Sequence, residues 1–353
     1  MTERRHIDLP RLLEVGDDCF GDVAALLSDH AFDLRRVYIG SGGGESSGLA
    51  RTIAEGVEAA GHRVDHGPDL DGRFEEALAL AADTIKAEAT TLIAVGGGRV
   101  IDTVKLAAAR TGTDLVSVPT AISHDGISSP VASLFADDGR RHSYAATMPA
   151  GIVVDISVIG AAPSRTLRAG LGDLVSNLTA ILDWQLAQRA GRDRFDAYSA
   201  MIAENAARSV LDLDELESAQ SHERLAKGLL MSGLAMAAAG TSRPCSGAEH
   251  LISHALDGRL GERAAMHGEQ VALGSLVSAA AHGTPLLTTL SELYARLGLP
   301  MHPSQLSMST EDLVRAVQAA PGTRAGRYTI LSERDLSDTA VARLLDCAFV
   351  AVG

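Results

Sequence analysis

The first half of the sequence repeats a cycle of short apolar strand, turn and helix. Two strand-like segments, 36–40 and 91–95, run directly into glycine-rich turns at 41–44 and 96–98, and a helical pattern follows each turn. Strands separated by helices pair in parallel, because right-handed crossovers return each strand to the same sheet in the same direction. This repetition predicts that residues 1–162 form a doubly wound, Rossmann-like α/β domain.

The second half changes to helical periodicity, and no sustained strand returns after Pro163. Six segments separated by Gly, Pro or polar breaks fit helices, namely 171–187, 198–211, 221–239, 247–257, 268–281 and 287–297. The length of 353 residues exceeds that of one ordinary domain, so a second domain is expected. We predict an all-helical domain over residues 163–353.

The composition argues against several classes of partner. The net charge is −14 at pH 7, whereas surfaces that bind nucleic acids or anionic membranes need clustered Lys and Arg. The longest apolar run, 228–240, is too short to span a bilayer, and the charged residues 1–10 lack the apolar core of a secretory signal. Three scattered cysteines are typical of a reducing compartment. We therefore expect a cytoplasmic protein without a nucleic-acid or membrane partner.

The glycine turn at 96–98 is the first candidate for ligand binding. Glycines at the carboxyl end of a strand let a dinucleotide pyrophosphate approach the backbone, and the next helix directs free N–H groups at the phosphates. An ordinary tight turn is the alternative. The turn at 41–48 has the weaker claim and is expected to be a flexible loop. Asp102 is expected at the start of the helix 103–110, where a carboxylate caps the helix even without a ligand.

A polar loop bounded by prolines, 119–130, follows the strand at 114–118. Open α/β sheets bind their ligands in such loops at the carboxyl ends of strands. Its hydroxyl groups suit a cofactor, and Asp125 suits a substrate hydroxyl group. In the alternative interpretation, Ser and Asp side chains only satisfy the backbone of the loop. A β-hairpin turning at 137–139 is expected next.

Histidines in the second half suggest a metal site. His250 and His254 lie four residues apart in a helical segment, so both project from one face. His267 is expected to open the next helix, and Asp173 is the best acidic partner. Such a set with an open position suits Zn²⁺, although Fe²⁺, Ni²⁺ and Mn²⁺ accept the same ligands. The alternative is that these histidines are ordinary core or surface residues.

Seven segments in this order resemble the sn-glycerol-1-phosphate dehydrogenases, namely 96–103, 119–130, 170–173, 232–236, 242–250, 253–257 and 267–269. That family belongs to the superfamily of glycerol dehydrogenase, the iron-containing alcohol dehydrogenases and dehydroquinate synthase. The resemblance covers roughly residues 35 to 280, and 242–257 is its most specific part. It implies the dehydroquinate synthase-like fold, with a Rossmann-like lobe followed by an all-α lobe.

The resemblance also implies roles for individual residues. Asp173, His250 and His267 would bind one divalent metal, for which we expect Zn²⁺, with Ni²⁺ or Fe²⁺ as alternatives. Asp173 would also contact the substrate. His254 would be a catalytic residue that contacts the substrate and relays a proton rather than a fourth ligand, and Asp125 would be a second catalytic residue in contact with the substrate. Seven residues would bind the dinucleotide, NAD(H) or NADP(H), namely Gly97, Gly98, Arg99, Asp102, Thr120, Ser123 and Ser129.

Two departures from the family pattern, Ala121-Ile122 and Cys245, bear on the identity of the substrate. A substrate phosphate group would need cationic or hydroxyl partners. Because the chain has few lysines, we predict that Arg243 binds this group together with Ser242 and Ser246.

The implied function is an NAD(P)-dependent, metal-assisted dehydrogenase that interconverts dihydroxyacetone phosphate and sn-glycerol 1-phosphate, or a close phosphorylated or phosphonate analogue. A homo-oligomer is expected. A dehydroquinate synthase-type lyase is one alternative, but its Gly-Gly-Lys-Thr element is missing. A dehydrogenase of unphosphorylated glycerol or alcohols is another. A non-catalytic binding relative is disfavoured by the intact Asp173, His250 and His267.

Overall fold

The structure, a computed structural model, describes residues 7, 9–137, 139 and 141–349. The chain divides into two compact units, Met1–Pro163 and Ser164–Gly353. The sequence predicted a division one residue earlier, after 162. The predicted hairpin turn at 137–139 includes Asp138, which lies outside the described residues.

The first unit contains a six-stranded parallel sheet with the strand order β1-β8-β5-β4-β2-β3. Its strands are β1 (Leu12–Gly16), β2 (Arg36–Ser41), β3 (Arg63–His66), β4 (Thr91–Gly96), β5 (Asp114–Pro119) and β8 (Gly151–Asp155), and a separate antiparallel hairpin consists of β6 (Val131–Phe135) and β7 (Arg141–Ala145). The helices of this unit are α1 (Val23–Asp29), α2 (Glu45–Ala59), α3 (Phe74–Lys86), α4 (Gly98–Thr111) and α5 (Ile156–Ala161). The predicted doubly wound α/β fold is confirmed.

The inner strands are rich in Val, Ile, Leu and Ala because both faces of the sheet are covered. Every residue of β4 and β8 is buried, which is typical of parallel strands between two layers of helices. The edge strand β1, in which Leu12 pairs with Gly151 of β8, was not predicted from the sequence. Buried and exposed residues do not alternate regularly along β1, since only Leu12 of its five residues is buried.

The order of the strands reverses between β2 and β4. From β2 the chain continues to β3 on one side, whereas from β4 it continues to β5 on the other side. Ser41 at the end of β2 pairs with Val95 near the end of β4, so the two glycine-rich turns leave the sheet side by side. Such a topological switch point is where open α/β sheets bind ligands.

The helix after the second glycine turn begins at Gly98, not at Thr103 as predicted. Asp102 therefore lies in the second turn of α4 and does not cap the helix. Its Oδ1 is 2.8 Å from the Lys105 Nζ, and its Oδ2 accepts a hydrogen bond of 3.0 Å from the Ser133 N–H. The Asp102 and Lys105 side chains are both buried. The helix is thereby tied to the β6–β7 hairpin.

The second unit is helical throughout the part that the structure describes. Its helices are α6 (Ser164–Val175), α7 (Asn177–Arg189), α8 (Ala197–Arg208), α9 (Ala219–Ala239), α10 (Ala248–Leu260), α11 (His267–His282), α12 (Leu286–Leu297), α13 (Thr310–Ala319) and α14 (Asp338–Phe349). The predicted helix 171–187 is interrupted at Ser176, whose Oγ donates to the Asp173 carbonyl oxygen at 2.7 Å, so its residues are divided between α6 and α7. No helix among the described residues is long and apolar enough to cross a membrane.

We expect the Lys105→Ala substitution to lower the free energy of unfolding by about 3–5 kcal/mol, because it leaves the Asp102 carboxylate buried without its cation. Lys105 also donates to the carbonyl oxygens of Gly126 at 2.5 Å and Val131 at 2.8 Å, and it is fully buried. Urea unfolding would measure the loss. The exposed Lys86 supplies the matched control, Lys86→Ala. A loss below about 1 kcal/mol for Lys105→Ala would contradict a structural role for this pair.

Candidate metal centre and dinucleotide-binding turn

Three predicted ligands converge in the second unit, each from a different helix. Asp173 lies on α6, His250 in the first turn of α10, and His267 is the first residue of α11. The Asp173 Oδ1 is 3.5 Å from the His250 Nε2 and 3.6 Å from the His267 Nε2. The three ligand atoms all lie within 4.8 Å of one another, so a single ion can contact all of them.

Two glycines allow these helices to approach closely. A Cβ atom at Gly172 of α6 would lie 2.5 Å from the Gly268 carbonyl oxygen of α11. A Cβ atom at Gly274 would lie 2.8 Å from the Glu249 carbonyl oxygen of α10. A side chain at either position would push apart two of the helices that carry the ligands. These glycines therefore set the distances between the three ligand atoms.

The far nitrogen of each imidazole is held by a hydrogen bond. The His250 Nδ1 is 3.1 Å from the Glu249 Oε1, and the His267 Nδ1 is 3.1 Å from the Ser253 Oγ. Both rings therefore turn their Nε2 atoms toward Asp173. Such outer contacts fix the orientation of metal-binding histidines in proteins. Glu249 and Ser253 were not predicted from the sequence as site residues, although both lie within 242–257, the most specific part of the family resemblance.

Glu249 is itself fixed at the start of α10. Its Oε2 accepts a hydrogen bond of 2.9 Å from the Thr179 Oγ1, and its Oε1 accepts one from the Gly247 N–H. The neighbouring Asp183 accepts a hydrogen bond of 2.7 Å from the Ala248 N–H, and burial raises the pKa of its carboxyl group. These two carboxylates satisfy N–H groups that a helix start otherwise leaves without partners.

The electrostatic field at this position favours a cation. Burial alone would lower the pKa of His250, but the nearby Asp173 and Glu249 carboxylates outweigh burial and raise it to about 10. The geometry also fits a metal ion, since a tetrahedral ion with bonds of about 2.1 Å separates its ligand atoms by roughly 3.4 Å. One carboxylate and two imidazoles are therefore suited in chemistry and in spacing to a divalent ion.

His254 lies one turn beyond His250 and is half-buried. Its ring centroid is 6.4 Å from that of His267, with nearly parallel ring planes. It is outside the group of three ligand atoms found among the described residues. His254 thus stands beside the candidate metal centre, as the family resemblance implies.

The structure gives Arg243 a different environment from the one predicted. This side chain is buried, its Nε is 2.6 Å from the Asp193 Oδ2, and its Nη1 donates to the Tyr328 carbonyl oxygen at 2.7 Å. A guanidinium group already paired with a carboxylate gains less from a phosphate group. This pairing argues against Arg243 as the main phosphate ligand, and its role stays a prediction.

The three glycines of the 96–98 turn have different surroundings in the first unit. A Cβ atom at Gly96 would meet the Val100 side chain at 2.8 Å, and one at Gly98 would lie 2.0 Å from the His124 Nε2. Gly96 and Gly98 are therefore needed because neighbouring side chains leave no room for a Cβ atom at either position. A Cβ atom at Gly97 would meet nothing within 4 Å among the described residues. Gly97 therefore has the open space that a ligand needs, directly before the start of α4.

The segment 41–48, which was predicted to be a flexible loop, lies beside this turn at the switch point, but its second half is helical because α2 already begins at Glu45. Ser46 links it to the polar loop after β5, because the Ser46 Oγ is 3.2 Å from the Thr120 Oγ1. Thr120 also donates its backbone N–H to the Gly96 carbonyl oxygen at 3.0 Å. The weaker of the two glycine-rich turns thus contributes to the same edge of the sheet, which only the strand order reveals.

The other predicted residues of the first unit differ in exposure. Arg99 is exposed at the start of α4, and Ser123 and Asp125 are half-buried. Ser129 is buried and its Oγ donates to the Val131 carbonyl oxygen at 3.4 Å. Asp102, as described above, has both oxygens engaged. For Asp102 and Ser129 these contacts favour a structural role over contact with a dinucleotide.

Comparison with known proteins gives consistent results. The family described as iron-containing alcohol dehydrogenase matches residues 14–163. The glycerol-1-phosphate dehydrogenase (NAD(P)+) of Cenarchaeum symbiosum (strain A) is 36% identical over 98% of this chain and 97% of that protein. The protein of the same name from Thermococcus kodakarensis is 36% identical over 97% of this chain and 98% of that protein.

A solved structure gives the same fold. The crystal structure of a probable glycerol dehydrogenase from Sinorhizobium meliloti 1021 matches with a TM-score of 0.78 and 21% identity over 98% of each chain. The resemblance noted in the sequence is confirmed by the identity over nearly the whole length. The chain therefore belongs to the glycerol-1-phosphate dehydrogenase family, within the iron-containing alcohol dehydrogenase superfamily.

Proposed function

We propose that this protein is an NAD(P)-dependent, metal-assisted dehydrogenase that interconverts dihydroxyacetone phosphate and sn-glycerol 1-phosphate. The observation that carries this proposal is the convergence of Asp173, His250 and His267 within 4.8 Å. The names of the relatives, glycerol-1-phosphate dehydrogenases that use NAD(P)+, supply the substrate and the cofactor. We also propose a cytoplasmic location and a homo-oligomer. Cys19, Cys245 and Cys347 are free thiols, which agrees with a reducing compartment.

In this proposal Asp173, His250 and His267 hold one divalent ion, and Zn²⁺ suits their nitrogen and oxygen donors. When bound, the ion acts as a Lewis acid on the substrate oxygen, and the nicotinamide carries the hydride. Glu249 and Ser253 keep the two imidazole rings in a fixed orientation, so that the ligands do not reorganise during turnover.

The protein's own acid–base group in this proposal is His254. It stands one helical turn from His250, close to the position where a substrate oxygen would lie. A neutral imidazole accepts a proton from a hydroxyl group and returns it to an oxygen in the reverse reaction. The role of Asp125 as a substrate contact stays a prediction that is based on the family resemblance.

The dinucleotide phosphates are proposed to bind at the switch point of the first unit. Gly97 leaves open space there, and α4 begins directly behind it with free backbone N–H groups. Gly98 contributes by its backbone, and Arg99 is exposed on the first turn of the helix. Thr120 and Ser123 of the neighbouring loop are proposed to surround the nicotinamide half.

The central test replaces a ligand. We expect His250→Ala to lose both bound metal and the oxidation of NADH or NADPH by dihydroxyacetone phosphate, because two remaining ligands hold a divalent ion poorly. Elemental analysis of the purified protein and nicotinamide absorbance measure the two effects. The exposed His66 supplies the control, His66→Ala, which should keep metal and turnover. Full metal occupancy in His250→Ala would refute the ligand assignment.

A second test addresses ring orientation. We expect Glu249→Gln to weaken Zn²⁺ binding about 10–100-fold, as is typical when an outer partner of a metal-binding histidine is changed. Competition with a chelator of known affinity would measure it. Because Gln keeps the shape of Glu, the unfolding curve serves as an internal control. Unchanged Zn²⁺ affinity would show that the contact between Glu249 and His250 does not position the ring.

A third test concerns the dinucleotide. We expect Gly97→Val to raise the NAD(P)H dissociation constant at least tenfold, about 1.4 kcal/mol, because the side chain fills the open space at the turn. The backbone of Gly97 has a φ of −76°, so the variant should fold normally. Gly21, whose Cβ would also meet nothing within 4 Å, supplies the control Gly21→Val. Calorimetric titration that finds equal dinucleotide binding in both variants would assign the turn a purely structural role.

A further inference from the structure

Two arginines converge on one short segment of the second unit, which contains a third. The Arg327 Nη2 and the Arg324 Nη1 both donate to the Ser242 Oγ, each at 2.9 Å. The Arg327 Nη1 also donates to the Ser246 carbonyl oxygen at 2.7 Å. Arg243 follows Ser242 directly in the chain. We call Ser242, Arg324 and Arg327 the arginine pocket.

The positive charge in this region exceeds the negative charge that pairs with it. Arg243 is paired with Asp193, but within the described residues Arg324 and Arg327 have no ion pair to a carboxylate and donate to neutral oxygens. Arg327 is only 7% exposed. Burial, together with the guanidinium groups of Arg324 and Arg243, lowers the pKa of Arg327 to about 9.

A buried guanidinium group without a carboxylate partner is costly, and proteins normally keep such charges paired. The unfavourable free energy of this unpaired charge is explained if an anion binds there during function. A guanidinium group has five N–H donors, and Arg327 uses two of them in the hydrogen bonds above. Arg324 is exposed, so the pocket is open to solvent on that side. The excess is unusual in a chain with a net charge of −14.

We propose that the arginine pocket binds the phosphate group of the substrate, an inference that rests on the dehydrogenase function proposed above. Planar guanidinium groups and a hydroxyl group are the donors that match phosphate oxygens. The pocket is linked to the metal centre through the backbone, because Arg327 binds the Ser246 carbonyl and α10 starts two residues later with His250 in its first turn. Arg243, which was predicted from the sequence to bind the phosphate group, is instead paired with Asp193 and supports the pocket from the side.

Direct binding gives the first test. Inorganic phosphate added to the purified holoenzyme should raise the Tm of the wild-type protein, and this shift should be lost in Arg324→Gln and in Arg327→Lys. Arg324 is exposed, so its variant should fold, while Arg327→Lys keeps the charge but not the planar fork. Arg343→Gln, an exposed position on α14, makes the same change of charge and should keep the shift. A wild-type protein without a phosphate shift, or equal shifts in all variants, would overturn the pocket.

Kinetics give the second test. In Arg324→Gln and Arg327→Lys, the KM for dihydroxyacetone phosphate should rise about tenfold, the change expected from losing about 1.4 kcal/mol of binding. The ratio of kcat/KM for dihydroxyacetone phosphate to that for unphosphorylated dihydroxyacetone should fall by a similar factor. An unchanged ratio in both variants, with Arg343→Gln as the reference, would overturn the assignment of the phosphate group to this pocket.

The two proposals fail in different ways. If the wild-type enzyme reduces dihydroxyacetone phosphate but both pocket variants keep the wild-type KM, the pocket is wrong and the dehydrogenase function stands. If phosphate stabilises the wild-type protein and not the pocket variants, but no nicotinamide oxidation occurs with dihydroxyacetone phosphate, the anion pocket stands and its assignment to this substrate falls.

Discussion

The close approach of α6, α10 and α11 is the constraint on which the candidate metal centre depends. Gly172 and Gly274 lie at the two contacts, where a Cβ atom would come within 2.5 Å and 2.8 Å of backbone oxygens on a neighbouring helix. Rigid helices packed at such short distance hold their side chains more accurately than loops do. The distances of 3.5 Å and 3.6 Å from the Asp173 carboxylate to the two imidazoles follow from this packing.

The second unit contains two regions of uncompensated charge with opposite sign. Carboxylates surround His250, so that its position attracts a cation, whereas Arg324 and Arg327 have no carboxylate of their own among the described residues. Both regions are costly in the free protein because buried charges lose their hydration. A bound divalent ion would neutralise the first region, and the phosphate group of a substrate would neutralise the second. This complementarity joins the metal centre and the arginine pocket in one functional hypothesis.

The glycine turns of the first unit show why a motif has to be interpreted in three dimensions. Gly96 and Gly98 are required by the Val100 and His124 side chains, while Gly97 alone borders open space. In the sequence these three consecutive glycines cannot be distinguished. The strand order then brings the loop after β2 beside this turn, because the parallel strands β2 and β4 are neighbours and the order of the strands reverses between them. A ligand site at this edge is therefore a property of topology as well as of composition.

The sequence by itself determined the fold class, the family and the three candidate ligands. Strand and helix periodicity are local properties, whereas the choice of Asp173, His250 and His267 as ligands rested on the resemblance of seven sequence segments to a known family. Only the tertiary structure decided which buried charges are paired. It paired Arg243 with Asp193, fifty residues away, and brought Arg324 and Arg327 to Ser242 from more than eighty residues away. It also revealed β1 and the break at Ser176. Contacts between residues distant in sequence depend on packing, and no local pattern encodes them.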